Sequence, residues 1–229
     1  MKRAAMRQLA EWKKSKIHKP LILRGARQTG KTWLLKEFGR LFFQDTVYIN
    51  FENEPRFRDL FKEDFDTKRI ISTIQLFYGK KIVAKTTLII FDEIQAAEGA
   101  LTSLKYFCEN APEYYIAAAG SLLGIAMHEN QSFPVGKVSF LDLYPLSFSE
   151  FLVASGMEML LEAMFRQEWK TLETFHGELM NLLKTYLYVG GMPEVVMKWL
   201  ETHDYSEVRT IQHEILCSYP ADFLTHAPE

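Results

Sequence analysis

The segment GARQTGKT, residues 25–32, constrains the fold of this chain most, because it fits the pattern G-x-x-x-x-G-K-[ST]. It follows the short apolar run LILRG and precedes a stretch of helical periodicity, residues 31–42. Glycines let the backbone curl so that successive N–H groups point at an anion, and the helix N-terminus adds donors and a positive dipole end. The segment therefore predicts a phosphate-binding loop between a strand and a helix.

The residue types in this loop predict which ligand it binds. We expect Lys31 to reach the β- and γ-phosphates of a nucleotide and the Thr32 hydroxyl to ligate Mg²⁺. The guanine-reading string N-K-x-D is absent, since no Asn is followed by Lys. ATP with Mg²⁺ is therefore the favoured ligand pair. The residues predicted to bind the nucleotide are Gly25, Ala26, Arg27, Gln28, Thr29, Gly30, Lys31, Thr32 and Trp33.

A pair of acidic residues follows the apolar run TLIIFD, residues 87–92, which reads as a buried strand. Mg²⁺ keeps several waters and takes few carboxylates, so one carboxylate at the end of a neighbouring strand is enough. We expect Asp92 to hold the metal and Glu93 to polarise the attacking water as general base. The pair also favours hydrolysis over transfer of phosphate to a metabolite.

A third strand, YYIAAAGS, ends in Ser121, where the sheet should emerge beside the γ-phosphate. Its hydroxyl is placed to hydrogen-bond the nucleotide or the lytic water, which makes Ser121 a candidate catalytic residue with Lys31 and Glu93. An N-cap for a helix beginning at Leu122 is an equally good interpretation. The six histidines form no HExxH pattern and pair with no CxxC, so the sequence does not support a zinc site.

The order of the predicted elements indicates the fold class. Strands at 21–25, 46–51, 87–92, 114–121 and 137–146 alternate with helical patterns at 31–42, 67–79 and 98–110. Such alternation predicts an α/β fold, a three-layer sandwich of the P-loop NTPase type with a mostly parallel five-stranded sheet. After Pro145 the periodicity is helical to about Leu216. We therefore predict an N-terminal helical segment at 1–19, a P-loop core at 20–150, a helical segment at 151–220, and the start of a linker at 221–229.

Charge and composition narrow the function classes. Residues 1–40 hold 12 Lys or Arg against two acidic residues, whereas the other 189 residues hold 15 basic and 27 acidic side chains. A basic first fifth suits a polyanion, either a nucleic acid or nucleotide phosphates, although for Lys2 to Lys19 alone a solvated helix face is the favoured explanation. The apolar runs are too short for a signal peptide or a membrane span. Together with two unpatterned cysteines, this favours a cytoplasmic protein without a membrane partner.

Taken together, these motifs resemble the bacterial and archaeal ATPases of the AAA+ superfamily that precede a DUF4143 domain. The resemblance depends on RGARQTGKT, IIFDEIQ, AAAGSLLG, LDLYPLSFSEFL and YLYVGGMPEVV. It implies an AAA-like core followed by a small helical, winged-helix-like segment at roughly 150–220. The string SYPADFLTHA is similar to the point where such proteins lead into their second domain, and we expect that domain to be missing here.

The resemblance also raises the question of an arginine finger. Such proteins usually carry Gly-Arg before the LYPLSF string, whereas this chain has Gly136-Lys137. Lysine brings the charge without the planar fork of arginine, so Lys137 is a candidate finger or a solvated loop lysine. The sequence identifies no second sensor arginine, although Arg166 and Arg209 lie in the right half of the chain for one.

Three functions are compatible with these observations. The first is Mg²⁺-dependent ATP binding and hydrolysis that drives a conformational switch of an attached domain or a protein partner. The second is a non-hydrolysing, nucleotide-gated switch or scaffold. The third is an ATP-dependent DNA-binding protein, in which helices on either side of residues 188–191 form a helix-turn-helix. Self-association is open in each case.

Overall fold

The structure is a computed structural model that describes residues 1–121, 134 and 136–226. The chain divides into two compact units. The P-loop unit comprises Ala5–Leu143, and the helical unit comprises Met1–Ala4 together with Tyr144–Glu229.

A parallel sheet forms the centre of the P-loop unit. The strand order is β2-β3-β4-β1-β5, and every neighbouring pair in it is parallel. The prediction of an α/β fold with a mostly parallel five-stranded sheet is confirmed, and within the described residues the sheet is entirely parallel. The strands are β1 (Leu21–Gly25), β2 (Asp45–Asn50), β3 (Thr87–Asp92), β4 (Tyr115–Ser121) and β5 (Ser139–Asp142).

Helices cover both faces of this sheet. Successive side chains of a strand point to opposite faces, and in β3 Ile89 and Phe91 join one buried cluster while Leu88 and Ile90 join another. Residues of α4 and α5 complete the first cluster, and residues of α1 and α2 complete the second. The result is the predicted three-layer sandwich. The helices of this unit are α1 (Ala5–Lys14), α2 (Lys31–Phe42), α3 (Pro55–Arg58), α4 (Thr67–Tyr78) and α5 (Ala100–Asn110).

The last strand is shorter than predicted and the unit ends earlier. The sequence predicts a strand over 137–146, whereas β5 covers only Ser139–Asp142, the four residues that pair with Leu21–Arg24 of β1. The predicted boundary near residue 150 lies at 143/144 in the structure. Leu146 explains the shift, since it is buried in the core of the helical unit rather than against the sheet.

The described regular structure of the helical unit is entirely α-helical, as predicted, and it contains no strands of the kind that form a wing. Its last helix continues to His226, through residues where the sequence predicted the start of a linker, and it contains Pro220. None of the helices in the described ranges is both long and apolar enough to cross a membrane. The helices are α6 (Phe148–Ala154), α7 (Glu158–Phe165), α8 (Trp169–Thr174), α9 (His176–Val189), α10 (Pro193–Thr202) and α11 (Tyr205–His226).

A close backbone contact connects the strings LYPLSF and GGMPE in this unit. The Leu146 N–H donates to the Gly191 carbonyl at 2.6 Å, and the Tyr186 hydroxyl donates to the Leu146 carbonyl at 2.7 Å. A Cβ on Gly191 would lie 2.2 Å from that carbonyl oxygen, and the preceding Gly190 has a φ of +76°. The two glycines are therefore needed for the turn and for the close approach.

The first four residues belong to the helical unit, although the sequence assigns them to an N-terminal helix. Arg3 Nε donates to Glu150 Oε1 at 3.0 Å, with only 4% and 13% of the two side chains exposed. Arg3 Nη2 donates to the Tyr144 carbonyl at 2.6 Å, and the Ala4 N–H donates to the same Glu150 oxygen at 2.8 Å. Helix α1 accordingly begins at Ala5, after this anchored segment.

Candidate nucleotide-binding site

The phosphate loop connects β1 to α2 as the sequence predicts. Gly25 is the last residue of β1, and Lys31 is the first residue of α2. The backbone turns through left-handed conformations at Gln28 (φ 62°) and Gly30 (φ 89°). A Cβ on Gly25 would lie 2.2 Å from the Leu143 carbonyl oxygen, so this position also excludes a side chain. The glycines of the motif thus serve a turn and a close backbone approach.

The Lys31 ammonium lies inside the loop. Its Nζ donates to the Gly25 carbonyl at 3.0 Å and to the Ala26 carbonyl at 2.8 Å, and the residue is only 8% exposed. The Thr29 hydroxyl, also buried, donates to the Ala26 carbonyl at 2.9 Å. These bonds hold a positive charge at the first turn of α2, where the orphan N–H groups of the helix also attract anions.

Thr32 and Asp92 meet at the carboxyl edge of the sheet. The Thr32 hydroxyl donates to Asp92 Oδ2 at 2.7 Å, and the Glu93 N–H donates to Asp92 Oδ1 at 3.2 Å. Asp92 is the last residue of the fully buried β3 and is 2% exposed. The sequence predicted that these two residues cooperate, and the fold brings their side chains together.

Three polar residues that the sequence did not indicate form a chain of contacts that reaches this carboxylate through Tyr48. The Tyr48 hydroxyl donates to Asp92 Oδ2 at 2.7 Å, and Asn50 Nδ2 lies 3.4 Å from the Tyr48 hydroxyl. Burial raises the pKa of Tyr48 to about 12, so the phenol keeps its proton. Lys36 Nζ lies 3.6 Å from the centre of the Tyr48 ring. The alternating polar residues near the end of TVYINF, residues 46–51, could have indicated that Tyr48 and Asn50 lie on the same side of this strand.

Glu93 has an unusual backbone conformation and environment. Its φ and ψ are both 49°, in the left-handed region that residues other than glycine rarely adopt. Burial, with the nearby charges of Asp92 and Glu52, raises the pKa of the Glu93 carboxyl, while a hydrogen bond from Gln95 opposes the rise. That bond joins Gln95 Nε2 to Glu93 Oε2 at 2.7 Å. A carboxyl with a raised pKa is suited to accept a proton from water.

The donor set at this edge fits a magnesium ion. A carboxylate oxygen and a hydroxyl oxygen are hard ligands of the kind that Mg²⁺ takes, with phosphate oxygens and water completing an octahedron. The described residues contain no group of three or more His, Cys, Asp or Glu side chains that could hold a metal alone. A site that depends on nucleotide phosphates for its remaining ligands is consistent with both observations.

The other predicted site residues lie at or near the same edge. Ser121 ends β4 and pairs in register with Gly25 of β1, so its backbone is adjacent to the start of the loop. Trp33, in the first turn of α2, is 46% exposed. The helix predicted to begin at Leu122 lies outside the described residues.

The candidate finger and sensor residues have partners within their own unit. Lys137 Nζ lies 2.9 Å from Glu109 Oε1. Arg166 lies 3.5 Å from Glu162, and Arg209 donates to Gln212 at 3.1 Å.

Intramolecular contacts also account for much of the basic segment at residues 1–40. Besides Arg3 and Lys31, Arg24 pairs with Asp142 at 2.5 Å, and Lys13 donates to the Phe42 carbonyl. Further contacts join Lys2 to Glu158, Arg7 to Glu11, Lys36 to the ring of Tyr48, and Arg40 to Glu37. At least eight of the 12 basic residues of this segment therefore make contacts within the protein.

The strand order, the loop between β1 and α2, and an acidic residue at the end of β3 define a P-loop NTPase fold. A family model described as an AAA domain matches residues 17–152. The chain therefore belongs to the AAA domain family, and membership supports nucleotide binding. No curated protein matches the sequence.

Solved structures with this fold include two that cover nearly the whole chain. The Walker-type ATPase PABY2304 of Pyrococcus abyssi matches 98% of this chain over 74% of its own, with 14% identity and a TM-score of 0.56. The Drosophila ORC bound to DNA matches 99% of this chain over 68% of its own, with 14% identity and a TM-score of 0.52. At this identity the likeness shows the fold alone.

Proposed function

We propose that this protein is a Mg²⁺-dependent ATPase whose turnover drives a conformational switch of an attached domain or a partner. The observation that carries the proposal is the contact between Thr32 and Asp92, 2.7 Å between side-chain oxygens, beside the buried ammonium of Lys31. It unites the phosphate loop with the acidic end of β3 at the carboxyl edge of the sheet, where open α/β folds bind their ligands.

Each residue has a role in this proposal. The backbone N–H groups of residues 25–32 bind the phosphates, and Lys31 neutralises their charge. Thr32 and Asp92 hold Mg²⁺, which stabilises the negative charge that develops on the phosphates. Glu93 accepts a proton from the attacking water, and Ser121 hydrogen-bonds the nucleotide or that water.

Two substitutions separate binding from turnover. Lys31→Ala should abolish binding of a fluorescent ATP analogue, while Lys14→Ala removes the same charge from an exposed position on α1 and should bind normally. Glu93→Gln should bind the analogue with wild-type affinity but release phosphate at least about 100-fold more slowly, as loss of a general base implies. Glu98→Gln, exposed and five residues further on, is its control. Equal ATP affinity of Lys31→Ala and wild type would refute the proposal.

The non-hydrolysing switch is the second candidate, and two contacts favour it. Gln95 Nε2 donates a hydrogen bond to Oε2 of Glu93 at 2.7 Å, so one oxygen of the proposed general base already has a partner. Lys137, the candidate finger, forms an ion pair with Glu109. A protein of this kind would bind nucleotide tightly and turn over no faster than the nucleotide dissociates. Steady-state phosphate release well above the dissociation rate of the nucleotide would exclude it.

A DNA partner has support from the Drosophila ORC, which is solved bound to DNA, but not from the charge of the helical unit. The residues of that unit, 1–4 and 144–229, hold seven Lys or Arg against 13 Asp or Glu, a net charge of −6. The second helix of the candidate helix-turn-helix, α10, carries Glu194 and Glu201 against Lys198. Acidic helices repel the phosphate backbone, which dominates DNA affinity. A retardation assay at two salt concentrations tests this alternative.

A further inference from the structure

Tyr48 of β2 reaches the carboxylate that the proposed function assigns to magnesium. We propose that Tyr48 is a positioning residue for this site, fixing the orientation of the Asp92 carboxylate that would hold the metal. The inference rests on the proposed function and adds a residue from β2 to a site otherwise built from the phosphate loop and β3.

The hydrogen bonds to Asp92 determine which of its oxygens is available. Oδ2 accepts from two hydroxyls, Thr32 Oγ1 and Tyr48 Oη, each at 2.7 Å. A carboxylate oxygen offers two lone pairs in its plane, so these two bonds use the capacity of Oδ2. Oδ1 accepts the longer bond from the Glu93 N–H, at 3.2 Å. Oδ1 therefore keeps a lone pair beyond the bonds that hold the carboxylate in place.

Two neighbours hold the Tyr48 ring and set the direction of its hydrogen bond. Asn50 lies two residues further along β2, and its Nδ2 is a donor only, 3.4 Å from the Tyr48 oxygen. The phenolic proton is therefore directed to Asp92. Lys36 lies one helical turn after Thr32 on α2, and its ammonium covers the ring face at 3.6 Å from the centre. Two residues of α2 therefore contact this pair: Thr32 bonds to Asp92, and Lys36 covers the ring of Tyr48.

The ring of Tyr48 also packs against the apolar cluster that includes Leu34 and Ile90. A purely structural role would require this packing but not the hydroxyl. Tyr48→Phe separates the two roles, because it keeps the ring and removes only the oxygen. Tyr115→Phe is the matched control, since Tyr115 also donates one hydrogen bond, to the Lys13 carbonyl at 3.1 Å, but lies at the opposite end of its strand from Ser121.

The readout is the extent to which Mg²⁺ strengthens nucleotide binding. The affinity of a fluorescent ADP analogue is measured with Mg²⁺ and with EDTA, and the ratio of the two dissociation constants is compared between variants. We expect Tyr48→Phe to reduce this ratio about tenfold, the usual effect of losing a partner of a metal ligand. Its affinity in EDTA, which also reports on folding, should stay within about twofold of wild type, and Tyr115→Phe should match wild type in both.

The outcomes separate this inference from the proposed function. Wild-type binding that does not respond to Mg²⁺ would refute the proposed function itself. A wild type that responds, with an unchanged ratio in Tyr48→Phe, would overturn only the role of Tyr48. If Tyr48→Phe does not fold, Lys36→Met decides the question, because Lys36 is exposed and its loss should reduce the ratio about threefold by releasing the ring. An unchanged ratio there would also overturn the inference.

Discussion

The hydroxyl of Thr32 lies 2.7 Å from Oδ2 of Asp92, so the phosphate loop and the end of β3 share a hydrogen bond across 60 residues of sequence. A bond of this kind to a buried carboxylate is worth about 1.5–3 kcal/mol. The two ends of the predicted magnesium site are therefore held together by the protein itself.

This bond predicts different results for two substitutions at Thr32. Thr32→Val keeps the shape but lacks the hydroxyl, so Mg²⁺-dependent phosphate release should fall at least about tenfold. Thr32→Ser keeps the oxygen and should stay within about threefold of wild type. Phosphate release across a Mg²⁺ titration measures both variants. Equal rates for Val and Ser would mean that the hydroxyl has no part in the reaction.

Gly25→Ala should damage the loop through its backbone. The new Cβ would lie 2.2 Å from the Leu143 carbonyl oxygen, and neither backbone segment can yield without distorting β1 or the end of the unit. We expect a loss of about 1–3 kcal/mol in the free energy of unfolding, together with weaker nucleotide binding. Gly177→Ala is the control, because a Cβ at Gly177 meets nothing within 4 Å and the residue lies in α9. Urea denaturation compares the two, and an equal effect would contradict the prediction.

Stability should depend on pH through His18. Its ring stacks on Tyr115 at 4.0 Å, and burial lowers its pKa below the ordinary value of 6.5. Below that pH the unfolded chain binds a proton before the folded protein does, so the folded state loses stability as the pH falls. The melting temperature of wild type should therefore decrease more between about pH 7.5 and 5.5 than that of His18→Phe, which keeps a ring but cannot titrate. Parallel curves for the two proteins would refute this role for His18.

Tyr186→Phe should destabilise the helical unit. The hydroxyl donates to the Leu146 carbonyl at 2.7 Å, and its removal leaves a half-buried carbonyl with one partner fewer. We expect a loss of about 1 kcal/mol in the free energy of unfolding. Tyr188→Phe, at a residue 44% exposed, should cost less than half as much. Thermal denaturation of the two variants in parallel measures the difference.

The sequence predicted those parts of the fold that depend on local chemistry. The phosphate loop follows from glycine spacing, α2 begins and ends where the periodicity indicates, and β3 ends at the acidic residue as expected. Parallel pairing follows from the alternation of strands and helices. These features need only short stretches of chain to be recognised.

Contacts between segments that are distant in the sequence could not be predicted from it. Tyr48 reaches Asp92 from a neighbouring strand, 44 residues away, and no spacing rule for a single motif includes it. Gln95 bonds to Glu93 because a 3-10 turn, not a longer helix, follows the acidic pair. Lys2 and Arg3 read as part of a helix face, but their partners lie about 150 residues further along the chain. The charge pattern of the sequence shows that these residues are basic, but it does not show which acidic residues they pair with.

The anchoring of Arg3 has a practical consequence for dividing the protein. A fragment that ends at Leu143 but begins at Met1 would keep this guanidinium and lose Glu150 and the Tyr144 carbonyl. A fragment of the helical unit that begins at Tyr144 would keep the partly buried Glu150 carboxylate without its cation and should be less stable than the intact unit. The P-loop unit should therefore be expressed from Ala5, and the helical unit needs residues 1–4 supplied as a joined or added peptide.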